Sequence, residues 1–201
     1  MAAREPLDPA GAGVPAEFAR ALTALRAVTP RPEVAIEETP APQRLAPYAV
    51  ALSADVVSPA DPDTDLATGR FVLLHDPAGH EAWDGTFRVV TYVRADLEPD
   101  IASDPLLTGV GWAWLTEALD AQGARFAAES GTVTRVASES FGAIATEPST
   151  AQIEIRASWS PLDENLGAHV LAWSDLLCTT AGLPPVAPGV ATLATRRRPS
   201  R

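Results

Sequence analysis

Residues 70–97, RFVLLHDPAGHEAWDGTFRVVTYVRADL, hold two runs of β-branched and aromatic residues with only a few turn-forming residues between them. Reversal over so short a link forces neighbouring antiparallel strands, because a parallel pair needs a crossover of a dozen residues or more. Asp76 suits the first position of a type I turn, Pro77 fixes φ at the second, and Gly79 can take the left-handed conformation that closes the loop. The segment therefore reads as strand RFVLLHD, turn DPAG and return strand HEAWDGTFRVVTYVRADL, with Asp84-Gly85 marking a bulge or second bend. Phe87, Val89, Val90, Tyr92 and Val93 are apolar on both faces, which predicts a central strand.

Around this hairpin the apolar spacing switches between two periods. Before it, Pro15 opens a helix with Phe18, Leu22 and Leu25 on one face, ended by Pro30 and Pro32. Val34 and Ile36 alternate with Glu33 and Glu37 as an edge strand. A Pro-rich connector over 39–47 leads to YAVALSADV, where Tyr48, Val50, Leu52 and Val56 mark a half-buried strand, and 58–69 reads as an acidic loop. After the hairpin, TGVGWAW leads into a helix with Trp112, Leu115 and Leu119 as its stripe, Trp114 beside it and Gly123 as its stop. TVTRVA (132–137) and QIEIRASW predict two more strands, the second with Ile153, Ile155, Ala157 and Trp159 facing in. Ser160-Pro161-Leu162-Asp163 resembles a helix start, followed by Leu166, Val170, Trp173 and Leu177 and a stop at Gly182.

Strands joined without intervening helices imply an α+β fold. The expected architecture is an antiparallel sheet of five to six strands, with about three helices packed on one face or the edges. Residues 14–190 are expected to form one domain, between a disordered N-terminal segment (1–13) and a disordered basic tail (191–201). The order of elements is like that of type III secretion chaperones, a likeness of fold that carries little about function.

Charge and cysteine content narrow the function classes. Acidic residues number 26 against 15 basic, all arginine, for a net charge of −11. Such a surface repels duplex nucleic acid and anionic membranes. The absence of lysine, with abundant Ala, Pro and Gly, points to a GC-rich genome. Cys178 is the single cysteine, so no internal disulfide can form, and the acid-bearing N-terminus does not read as a signal peptide. No apolar run reaches the ~18 residues of a membrane span. A cytoplasmic protein is expected.

The densest polar cluster is His75, Asp76, His80, Glu81 and Asp84. Across the expected turn Asp76 faces His80 and His75 faces Glu81, and such a set can bind a divalent metal or transfer protons. The plainer reading is that turn-flanking polar groups pair with one another in solvent, and no metal-binding spacing of known type is present. No metal or other cofactor is expected. His169 reads as a partly buried helix residue and Cys178 as a small core residue. ASESFG (137–142) lacks the nucleophile-elbow pattern, and Walker A, dinucleotide-binding and EF-hand patterns are absent. Of five tryptophans, Trp112, Trp159 and Trp173 fall on core stripes, whereas Trp83 and Trp114 fit a stripe less well and are candidates for a groove or dimer contact. Arg196, Arg197, Arg198 and Arg201 could touch RNA or an acidic partner.

The stretches APQRLAPYAVALSADV, TGRFVLLHDPAGHEAWDGTFRVVTYVRADLEPD, VGWAWLTEAL, SGTVTRVASESFG, EIRASWSP and LLCTTAGLPP resemble an uncharacterised actinobacterial family, the domain of unknown function numbered three thousand. The resemblance runs from about residue 15 to about residue 190. It implies a cytoplasmic actinobacterial protein and carries no activity or site residues with it.

Three functional expectations stand. The first is a non-catalytic binding or adaptor (chaperone-like) module, acting on an unknown protein partner or by self-association. The second is a hydrolase or lyase centred on His75, Asp76, His80 and Glu81. The third is an RNA accessory that uses the arginine tail.

Overall fold

Alternation along each strand sorts the side chains onto two faces, and only one of those faces is predominantly apolar and buried. The computed structural model describes residues 13–61 and 64–185; the expected disordered ends lie outside them, but for Gly13. Strands β1 (Val34–Thr39), β2 (Tyr48–Val57), β3 (Asp65–His80), β4 (Gly85–Leu97), β5 (Phe126–Ser138) and β6 (Thr150–Pro161) form one antiparallel sheet in the order β1-β2-β3-β4-β6-β5. The fold is α+β, as the strand-rich order implies, with β1 at one edge and β4 central. The helices are α1 (Ala16–Arg26), a single turn α2 (Pro99–Ala102), α3 (Leu107–Ala121) and α4 (Leu166–Thr180).

The packed face of the sheet carries Val50, Leu52, Phe71, Leu73, Val89, Val93, Ile153, Ile155 and Trp159, all buried. Three helices cover it, and small residues set how closely they approach. A Cβ on Gly69 would sit 2.8 Å from Leu177 and 3.0 Å from Trp173, so glycine lets α4 lie against β3. Gly111 does the same for α3 over Ile153 and Val133. Phe18 of α1 stacks over His75. Among the described residues no helix is long and apolar enough to cross a membrane.

Several local expectations are corrected. The hairpin does not turn at DPAG. His75 pairs with Phe87 and His80 with Gly85, so Asp76–Gly79 is an irregularity within β3 and the reversal runs through a 3-10 turn, Glu81–Trp83. The local turn chemistry is nonetheless present: Asp76 Oδ1 accepts from the Ala78 amide at 3.0 Å and Gly79 has φ +73°. Longer ladder pairing beyond it decides where the chain reverses. Residues 65–69, expected as loop, belong to β3, and β5 begins at Phe126, six residues earlier than expected. Gly109 and Gly111 lie inside α3, whose buried stripe is Leu107, Gly111, Leu115 and Leu119, with Trp112 half-buried beside it. Ser160 and Pro161 finish β6, and α4 starts at Leu166 after an Asn165 cap position.

Candidate functional site

Among the described residues no α-helix lies on the second face of the sheet. Its strand positions are mixed: Arg70 and Val72 on β3, Arg88, Val90 and Tyr92 on β4, Arg156, Ser158 and Ser160 on β6, Ser130 and Thr132 on β5. Part of this face is roofed by Trp83, which packs with Ala41 and Ala46 of the Pro-rich connector over Ala51, Val72 and Leu74. The remainder forms an open depression of about 490 Å³ floored by Val72, Val90 and Tyr92. Val90 is 39% exposed in the middle of a six-stranded sheet.

Charged groups frame that floor. Arg156 lies over the Tyr92 ring, 5.2 Å from its centroid, and pairs with Glu154 at 2.6 Å. The Tyr92 hydroxyl donates to the same carboxylate at 3.0 Å, and burial followed by this bond raises the tyrosine pKa. Arg70 lines the other side and is exposed.

One hydrogen bond behind Ser130 and Ser158, Arg88 is only 8% exposed. Its Nη1 donates to the Ala128 carbonyl at 2.9 Å and to Ser160 Oγ at 3.1 Å. Its Nη2 donates to Ser158 Oγ at 2.7 Å and to Ser130 Oγ at 3.4 Å. None of these four partners is a carboxylate. Burial therefore lowers the Arg88 pKa, although a guanidinium keeps its proton in any protein. The Ala128 carbonyl is delivered by a bulge between Ala127 and Ser130, where Ala128 takes φ +52°. That left-handed geometry costs a non-glycine residue about 1–2 kcal/mol. Ser160 in turn donates to the Trp83 carbonyl, which ties the roof to the arginine.

The residues expected to carry chemistry are distributed differently. His75 is fully buried on the packed face, its ring 4.2 Å from Phe87 and its Nδ1 donating to the Thr86 carbonyl at 3.1 Å. Asp76 caps the Ala78 amide. His80 is exposed, accepts from the Ala82 amide at 3.2 Å and stacks on Trp83 at 4.9 Å. Glu81 opens the 3-10 turn in solvent. These four side chains are not gathered around one point. Among the described residues no three His, Cys, Asp or Glu side chains cluster closely enough to hold a metal ion. Trp83 packs on the cluster that contains Val72, beside the depression and not in its lining, whereas Trp114 is half-buried on α3, across the sheet. His169, expected to be partly exposed, is fully buried, and its Nδ1 accepts the Trp159 indole N–H at 3.0 Å. The tail arginines Arg196, Arg197, Arg198 and Arg201 lie outside the described residues.

The arginine–serine cluster was not legible in the sequence. Arg88 interrupts an apolar run, TFRVV, at a position that alternation assigns to the opposite face from Phe87 and Val89, and this was its one local signal.

A family model described as Protein of unknown function (DUF3000) matches residues 14–191. No curated protein and no solved structure matches the chain.

Proposed function

The chain belongs to the family described as protein of unknown function (DUF3000), and from its geometry we propose that it is a non-catalytic binding module, adaptor-like in role, whose open sheet face receives a segment of a partner protein. One observation carries this reading. Helices bury one face of the sheet, while the other keeps an apolar floor of Val72, Val90 and Tyr92 in an open depression framed by arginines on a chain of net charge −11. Apolar floors with a polar rim and a nearby tryptophan are the usual anatomy of a protein contact. A wide, open shape suits a passing chain segment better than a small enclosed ligand.

The working unit of this reading is residues 14–190. It places the protein in an actinobacterial cytoplasm, supported by the lysine-free, arginine-only basic set and the single cysteine. A hydrolase or lyase around residues 75–84 lacks comparable support, because His75 faces the core and His80 faces solvent.

Selection of a displayed random-peptide library on the immobilised protein tests the proposal. Wild type should enrich related sequences, and Val90→Glu, shown by its amide spectrum to be folded, should lose them. Failure to enrich above a blank support, or equal enrichment by Val90→Glu, would remove the reading. A second copy of the chain as partner would appear instead as a concentration-dependent dimer dissociated by the same substitution.

A further inference from the structure

We propose that the corner of the depression lined by Ser130 and Ser158, with Arg88 directly behind them, is a carboxylate site, and that an aspartate or glutamate side chain of the bound segment anchors there. The proposal rests on the open face being the binding face and specifies what that face recognises.

The first ground is charge. Arg88 is more than nine-tenths buried and permanently cationic, yet it meets only a backbone carbonyl and three serine hydroxyls. Buried cations are ordinarily matched by an anion, since dipoles alone repay little of the lost hydration. The second ground is a count of hydroxyl protons. Ser160 accepts from Arg88 and donates to the Trp83 carbonyl, so it is complete. Ser130 and Ser158 both accept from Arg88 and lie 3.3 Å apart, so one of them donates to the other. The second hydroxyl proton of that pair has no acceptor among the described residues. Both serines line the depression, Ser130 exposed and Ser158 half-buried, so this spare donor is free to turn to a ligand there, in front of the buried charge.

An incoming carboxylate would accept the spare hydroxyl proton and supersede the 3.4 Å contact between Arg88 Nη2 and Ser130, the longest of the four. Its neighbours would rest on Val90 and Val72. A single negative charge fits better than a phosphomonoester: the site offers one buried cation, Arg156 is already paired with Glu154, and the body of the protein is acidic. The depression runs from Arg70 on β3 to Thr132 on β5. It is therefore open enough for a chain to pass through, which favours a side-chain carboxylate over a chain terminus.

Amide and Arg88 Nε–H chemical shifts of the full chain, followed by NMR, provide the test, with phenylacetate, benzyl alcohol and phenyl phosphate as probes. Phenylacetate should move Ser130, Gly131, Ser158 and Arg88 saturably, whereas benzyl alcohol should not. The double substitution Ser130→Ala/Ser158→Ala, whose spectrum elsewhere reports that it is folded, should bind phenylacetate about tenfold more weakly, the worth of one charge-assisted hydrogen bond. Equal responses to acid and alcohol, a response unchanged by the double substitution, or tighter binding of phenyl phosphate would overturn the assignment. Library peptides should keep their affinity with an amidated C-terminus and lose it when their acidic residue is amidated. Peptides lost on Val90→Glu but indifferent to Ser130→Ala/Ser158→Ala would sink the carboxylate anchor and leave the binding face standing. An absence of any enriched peptide would sink the face itself.

Discussion

Arg88 on β4 and Ser158 on β6 are joined by a 2.7 Å hydrogen bond from Nη2 to Oγ, across strands whose paired residues lie far apart in sequence. Because the serine is the closest of four neutral acceptors, the two residues depend on each other. Ser158→Ala should destabilise the fold, and should cost less in an Arg88→Met background, where the buried charge that needs the serine is gone. The coupling should be about 1–2 kcal/mol, read from urea unfolding of the four proteins. Strict additivity would show that the contact carries no free energy.

Acid should act through His169. Burial lowers its pKa from 6.5 to about 4, and its Nδ1 is committed as acceptor to Trp159. As pH falls the unfolded chain takes up the proton first, so this contribution to stability is full above pH 6.5 and is lost towards pH 4. Between neutral pH and pH 5 the loss should be about 2 kcal/mol. His169→Asn, which retains an acceptor, should flatten stability over that window. A urea midpoint with the same pH dependence in wild type and variant would contradict the assignment.

Two glycines should respond to alanine with opposite signs. At Gly131 a Cβ would run into the Arg156 backbone carbonyl and approach Trp112 to 2.7 Å, so Gly131→Ala should destabilise by about 3 kcal/mol or more. Gly109 is helical with nothing within 4 Å of such a Cβ, and Gly109→Ala should stabilise by roughly 0.5–1 kcal/mol. Thermal melts of the two variants decide both.

Cys178 should be inert in the folded protein. It is buried, and burial pushes its thiol up to about 11. An aromatic disulfide reagent at pH 8 should label it only at the rate of unfolding, with full labelling in denaturant. Rapid labelling under native conditions would show that the end of α4 opens locally.

The regular parts of this fold were readable because one period governs each of them. Ile153, Ile155, Ala157 and Trp159 alternate without interruption and all face the core, and Gly182 (φ +74°) follows the end of α4 as expected. The turn at 76–79 was misplaced because its local chemistry is real: Asp76 and Gly79 adopt turn geometry, yet the ladder continues past them to His80 and Gly85. Local propensity named the bend, and pairing energy decided its meaning. The depression was hidden for a different reason. The partners of Arg88 lie 40 to 72 residues away on two other strands. No spacing within one segment can announce them.

The insertion of β6 between β4 and β5 bears on how the molecule assembles. The strands β1 to β4 pair in chain order, and β5 and β6 pair as neighbours, so each group can zip up through short loops. The seam between β4 and β6 is the one junction among the described strands that must close a long loop, and such closures set folding speed. Arg88 stands on one side of that seam and its three serines on the other. The arginine–serine cluster therefore cannot form until that seam has closed.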